Sequence, residues 1–452
     1  MLQRNIGMSV AVVGFGIIAI ASLATGPACA AGFAIREQSA TALGNAFAGS
    51  TAGAEDITYS YFNPAAMARQ PDSAVAVVGS YIMPRSEFTG SASSTVTGTP
   101  TGGGDGGDDI AVDALVPATF AMWAVQPSLR LGLAVNVPFG LETDYDDGWR
   151  GRYHALRSRL RTVTATPMVS YQVSDMIALG AGMQIQYIDA KLSNAVDFGT
   201  IGALSGIPGA VPAAQDGSAE VNGDDVAVGF NLGVLVEPWE GTRFGAAFRS
   251  KIDHELEGDA DFRFDSAGVG AALSGATGLF VDTGAKASVT TPEMVSFGVH
   301  QDIDARWSVM AEAAWTRWSR FEELRIRFDN PAQPDNFTEQ DWDDSWFFAA
   351  GVTFRPDNRW ALRAGLAYDQ TPIPDDRRTP RIPASSRTWL SVGASFQPLD
   401  SLQVGIGYTH LFVDDGSIDL AAGDPGNTFR GNLSGESENA VDIFTLQLSW
   451  AF

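Results

Sequence analysis

Residues 226–236 read VAVGFNLGVLV. Val226, Val228, Phe230, Leu232, Val234 and Val236 are apolar, while Ala227, Gly229, Asn231 and Gly233 between them are small or polar. Alternation with period two marks a strand with one face against an apolar medium. The pattern recurs at Leu129, Leu131, Leu133, Val135 and Val137, and at Phe444, Leu446, Leu448, Trp450 and Phe452. Fourteen such runs begin near Ser73, Leu115, Ser128, Leu156, Met176, Asp225, Thr242, Ala285, Arg306, Ser345, Arg359, Arg387, Ser401 and Glu438.

The connections alternate in length. Short ones such as Gln126-Pro127, Ser174-Asp175 and Pro356-Asp357-Asn358 use tight-turn residues. Long ones, over roughly 86–112, 140–153, 195–223, 259–284, 329–343, 370–385 and 414–437, are rich in Gly, Asp, Ser and Pro. Turns at one end and loops at the other describe an all-β, 14-stranded antiparallel transmembrane β-barrel of the outer-membrane type. After residue 30 no apolar run reaches the ~20 residues of a spanning helix. The expected location is the outer membrane of a Gram-negative cell, with the turns in the periplasm. The closing Phe452 also resembles the signature read by barrel-assembly machinery, an expected partner.

If the bulky apolar face meets lipid, the lumen face carries Gly180, Gly182, Gly229, Gly233, Gly245, Gly351, Gly365, Gly393, Gly405 and Gly407. Glycine weakens a strand, so the concentration implies interior space or closely approaching backbone. Part of it could instead relieve curvature. A barrel of fourteen strands is too wide for its own side chains to fill.

At the other end of the chain, Arg4, the apolar residues 8–24 and Ala28-Cys29-Ala30 form an export signal with a small-x-small cleavage site. An uncleaved anchor is the alternative. The reading divides the chain into a signal peptide at 1–30, a hatch at 31–72 and the barrel at 73–452. Residues 31–70 are rich in Ala, Gly and Ser and follow no single period, as befits an insert filling the lumen. The only cysteine, Cys29, leaves with the signal. The 29 basic and 53 acidic residues give a net charge of −24, which excludes nucleic acid as a partner. Acidic loops such as 105–109 and 341–344 show no calcium-loop spacing, and no catalytic or nucleotide motif is present. No cofactor, no metal and no enzymatic activity are expected, and a monomer is expected.

Ala31-Gly32-Phe33, Glu37-Gln38-Ser39, residues 43–49 (LGNAFAG) and Asn63-Pro64-Ala65 resemble the hatch of FadL/TodX-type outer-membrane transport proteins. The resemblance runs on through residues 138–141 (PFGL), 151–154 (GRYH), 291–294 (TPEM), 315–319 (WTRWS) and the last strand. It implies passive uptake of long-chain fatty acids, or of aromatic or alkane hydrocarbons, through a hatch-closed barrel. It also implies a lateral gate at a kink in the third strand, here Pro138, Phe139 and Gly140. The residues themselves allow a gate or a plain strand end, because proline removes a ladder N–H in either case.

Phe33 and Ile35 are candidate ligand contacts, since the resemblance places the mature N-terminus in the binding pocket. Asn63, Pro64 and Ala65 are expected to anchor the hatch. Arg249, Lys251 and Arg363 fall on the polar face of their runs and are candidates for a ligand carboxylate. Arg325 joins them because a family lysine aligns with it, whereas Asn194 stands where the family keeps a second basic residue. Each could instead pair with a carboxylate such as Glu37, Glu55, Asp56 or Glu312. Arg157, Arg159 and Arg161 share the outward register and are expected to face lipopolysaccharide phosphates. A general hydrophilic porin and an outer-membrane hydrolase are the competing functions.

Overall fold

The computed structural model describes residues 32–95, 98–107 and 109–452. The signal peptide read at 1–30 lies outside the described residues. The chain forms one closed antiparallel barrel of fourteen strands. They are β1 (Ala74–Ser93), β2 (Ala114–Gln126), β3 (Leu129–Asn136 with Gly140–Asp144), β4 (Arg157–Gln172), β5 (Ile177–Asp197) and β6 (Asp216–Trp239). Then come β7 (Thr242–Arg249 with Ile252–Arg263), β8 (Thr283–Thr291 with Met294–Asp302), β9 (Trp307–Thr316 with Glu323–Phe328) and β10 (Asn336–Glu339 with Ser345–Phe354). The last four are β11 (Trp360–Asp369), β12 (Arg387–Leu399), β13 (Leu402–Val413 with Gly416–Leu420) and β14 (Asn432–Ala451). β14 closes the barrel on β1 in a register running from Ala74↔Ala451 to Ser93↔Asn432.

Each of the fourteen alternating runs is one of these strands. Their ends differ from the expectation: β6 starts at Asp216 rather than Asp225, and β14 at Asn432 rather than Glu438. The reason is the medium. Within the bilayer the outer face must be apolar, so Leu362, Leu366 and Tyr368 of β11 point outward and stay exposed. From Trp360 to Tyr368 is eight steps, roughly 26 Å of strand, which suits the apolar band between two aromatic girdles. Beyond that band the ladder continues but the outer face meets water.

There the pattern changes sign. Ser250 and Lys251 interrupt β7. Below them Phe244 points outward; above them Ile252, His254 and Leu256 are buried inward, and Asp253, Glu255 and Glu257 are exposed. The outer half of β9 likewise buries Ile326 inward. The barrel is thus apolar outside where it meets lipid and apolar inside where it rises above it.

Residues 33–70 pack against the inner wall. They contain α1 (Ala40–Gly44) and two 3₁₀ turns, Ile57–Tyr61 and Pro64–Arg69. Ser39, Asp56 and Asn63 cap these elements by accepting from Ala42 N, Thr58 N and Ala65 N. Capping satisfies backbone donors that water does not reach. The wall glycines admit this backbone. A Cβ at Gly180 would stand 2.3 Å from Ala65 N, at Gly233 1.9 Å from Asn63 Oδ1, and at Gly365 2.2 Å from Asn45 O. Gly182 and Gly229 face wall side chains instead.

Candidate functional site

The third strand is broken where Pro138 falls. Asn136 pairs with Thr164, but Gly140 pairs with Arg161, so 137–139 bulge by one residue against β4. On the other side the break is wider. β2 pairs with β3 only up to Thr119↔Val135, while β2 stays paired to β1 as far as Ala114↔Ile82. The edges of β2 at 114–118 and β3 at 137–142 therefore leave each other, opening a window about five residues, or ~17 Å, tall.

The chain's own N-terminal segment occupies the β3 edge of that window. Ile35 N donates to Pro138 O at 2.8 Å, and Gly140 N donates to Phe33 O at 2.9 Å. Ala34 and Phe139 form an isolated antiparallel bridge. Gln38 Nε2 adds a bond to Val137 O at 2.9 Å. Gly140 is needed here, because a Cβ on it would lie 2.8 Å from Ile35 Cδ1. The edge groups that the kink exposes are thus capped by residues 33–35 of the N-terminal segment.

Phe33 sits in an aromatic cluster. Its ring lies 4.7 Å from Trp318, 5.9 Å from Phe139, 6.0 Å from Phe321 and 5.9 Å from Trp342. Leu141, Ile373 and Ala384 complete the cluster. The edge-to-face geometry of most pairs is the favoured one for π systems. Above it, an apolar cleft is lined by Ala190, Leu192, Leu256, Val289, Leu324 and Ile326. Leu160 packs against both the Phe33 cluster and the Ile188–Leu256–Val289 cluster, so the cleft and the aromatic pocket share a wall.

Polar contacts tie the rest of the segment down. Asn63 Nδ2 donates to Thr51 O at 2.7 Å and Val234 O at 3.0 Å. Ala65 and Pro64 press on Gly180 and Gly233. Gln447 on β14 accepts from Ala40 N and donates to Asp56. Glu55 takes ion pairs from Arg363 at 2.5 Å and Arg355 at 3.3 Å. Burial would raise the Glu55 carboxyl, but Arg363 and Arg355 outweigh it and hold it at about 2.

Three of the four basic ligand candidates lie elsewhere than a carboxylate pocket requires, and the fourth meets the hatch. Arg363 is buried and spent on Glu55 and Ser395. Lys251 corrects the expected lumen position: the break at 250–251 turns it outward, where it pairs with Asp253 at 2.8 Å. Arg325 is likewise outside the cleft, because Leu324 and Ile326 take the inner face; it pairs with Glu323 and Asp335. Arg249 does face the lumen. It donates to Tyr61 O at 2.9 Å and stacks over the Tyr61 ring at 4.5 Å, beside a cavity lined by Ile35, Pro138 and Phe139. Arg157, Arg159 and Arg161 keep the outward register and pair with Glu142, Asp144 and Asp189.

The family described as "Outer membrane protein transport protein (OMPP1/FadL/TodX)" matches residues 21–452. A long-chain fatty acid transport protein of Escherichia coli O6:H1 is 25% identical over 452 residues, covering 96% of this chain and 97% of its own. Outer membrane protein P1 of Haemophilus influenzae is 28% identical over 414 residues, covering 86% and 87%. A solved Pseudomonas aeruginosa FadL homologue superposes with a TM-score of 0.86 at 26% identity, over 93% of this chain and all of that one. The Ralstonia pickettii toluene transporter TbuX shares the fold, with a TM-score of 0.62 at 17% identity over 91% and 99%.

Proposed function

Because the chain belongs to the OMPP1/FadL/TodX family of outer-membrane transport proteins, we propose that it takes up long-chain fatty acids passively and releases them sideways through the break in β3. The observation that carries this reading is the bridge between Ala34 and Phe139. A compound enters the apolar cleft above the bilayer and moves past Leu160 into the pocket around Phe33. When residues 33–35 leave the β3 edge, the window beside β2 opens and the compound passes into the membrane. No energy source is required, because transfer from water into an apolar site and then into lipid is downhill.

The hatch at 31–72 makes the barrel selective in this account. Its buried contacts with β5, β6 and β11 speak against a hydrophilic porin. Arg157, Arg159 and Arg161, already paired with carboxylates, form a mixed-charge ladder suited to lipopolysaccharide. Uptake of aromatic or alkane hydrocarbons by the same route is the second reading. The apolar lining of the Phe33 cluster favours it.

The test is uptake of labelled oleate by cells that lack their own fatty-acid channel and express this chain. Uptake well above the vector control is expected, with toluene or hexadecane competing weakly. No uptake over control, or rapid sugar flux in proteoliposomes, contradicts the reading.

A further inference from the structure

At the turn end of the barrel, which faces the periplasm, the ends of β9, β10 and β11 enclose a cavity of about 810 Å³. Glu55 of the hatch, Arg306, Arg355, Arg359, Arg363 and Gln397 line it. Its volume is that of a small-molecule site, ~300–1,000 Å³, but its wall is polar. It is therefore separate from the apolar cleft and from the pocket around Phe33.

Strand register brings the four arginines together. Ser308 and Met310 are buried on the inner face of β9, and Arg306 continues their alternation into the turn. Arg355 follows the inward Thr353 at the end of β10, and Arg359 leads through Ala361 to the inward Arg363 of β11. Trp307 pairs with Phe354 and Thr353 with Arg363. Arg355 N donates to Arg306 O at 2.8 Å, so these two arginines stand directly opposite each other on neighbouring strands. Like charges in that position destabilise a sheet.

The carboxylates present do not answer all of this charge. Glu55 takes Arg363 at 2.5 Å and Arg355 at 3.3 Å. Asp357, also at the cavity, turns Oδ1 to Arg359 N and Trp360 N at 2.8 and 3.0 Å. Among the described residues Arg306 and Arg359 have no ion pair, and both are exposed. Arg363 Nε is buried without a partner. Four guanidiniums thus gather at one cavity of a chain whose net charge is −24.

The group already in the cavity shows what chemistry it accepts. The Glu55 carboxylate bridges two of the four arginines, and guanidinium forks match carboxylates closely. We propose that the cavity seats a small periplasmic anion bearing two or more carboxylates, which bridges Arg306 and Arg359 and competes with Glu55 for Arg355. Such an anion loosens the hatch from the periplasmic side, because Glu55 is the hatch's tie to β10 and β11. The coupling is reciprocal: whatever frees Arg355 from Glu55 strengthens anion binding. The site does not depend on which hydrophobic compound the barrel carries.

The experiment is calorimetric titration of citrate into the full chain in lipid nanodiscs at fixed ionic strength, with acetate as the single-carboxylate control. Citrate is expected to bind at least about tenfold more tightly than acetate. Arg306→Gln with Arg359→Gln is expected to weaken citrate by about tenfold, as for loss of a charge-assisted hydrogen bond, with the melting temperature unchanged. Glu55→Gln is expected to tighten citrate several-fold, because the internal competitor is gone. Saturating citrate should also speed hydrogen exchange at hatch amides 53–58 of the wild type. Equal binding of citrate and acetate overturns the site, and so does unchanged citrate binding in the double arginine variant. Citrate binding that Glu55→Gln fails to tighten, or that leaves hatch exchange unchanged, overturns the competition with Glu55.

Discussion

Ile35 N donates to Pro138 O at 2.8 Å, so residues 33–35 add pairing to a strand that the proline has broken. A strand edge left open in a lipid wall is costly, because nothing in the bilayer satisfies its N–H and C=O groups. Here the satisfaction is supplied by a segment tethered to the hatch rather than by the next strand. In the proposed gating, release gives up a few hydrogen bonds and one aromatic packing site.

Gly140→Ala tests how tightly that seal is fitted. The new Cβ would sit 2.8 Å from Ile35 Cδ1, and Ile35 must move. Faster entry of a hydrophobic dye into cells at equal protein level is the expected result. An unchanged rate would show that Ile35 does not press on the gate.

Phe33→Ala removes the ring at the centre of the cluster formed with Trp318, Phe139, Phe321 and Trp342. Buried Phe→Ala changes cost about 3–5 kcal/mol, part of which a ligand tail filling the space recovers. Oleate and oleyl alcohol should therefore be affected alike. A loss confined to oleate would place the head group, not the tail, against Phe33.

Glu55→Gln leaves Arg363 buried without its partner. Breaking a buried ion pair from one side costs roughly 3–5 kcal/mol. Faster hydrogen exchange of the hatch amides is expected, with the barrel strands unaffected. Equal exchange in variant and wild type would mean that the pair does not hold the hatch.

The same carboxyl sets an acid limit. Its folded value of about 2 lies below the ordinary 4.5, so its stabilisation is complete above pH ~4.5 and lost as pH falls towards 2. The shift corresponds to about 3 kcal/mol. Hatch exchange in the wild type should accelerate between pH 4 and pH 2.5, and in Glu55→Gln it should not follow that titration.

The membrane half of the barrel was legible because lipid imposes one rule on every strand. Leu129 to Val135 and Phe444 to Phe452 obey it, and their register held, whereas Val137 turns inward at the break. Above the bilayer the rule reverses, with Leu256 and Ile326 inward and Glu257 outward, and the sequence carries no marker of the switch except short interruptions such as 250–251. Lys251 was misplaced for that reason, while Arg325 was a candidate only through its alignment with a family lysine. Pro138 announced a break, but no local pattern ties Ala34 to Phe139, which are neighbours only through the fold.

The central claim is that residues 33–35 must leave β3 for a compound to pass. Ala34 and Phe139 face each other at a non-hydrogen-bonded bridge position, where Cα atoms stand about 4.5 Å apart, within disulfide reach. The predicted mature chain has no cysteine of its own. The measurement is oleate uptake by cells carrying Ala34→Cys with Phe139→Cys, before and after reduction, with each single substitution as control. The account predicts that uptake is blocked while the disulfide is formed and returns on reduction. Equal uptake in the oxidised and reduced states would contradict it.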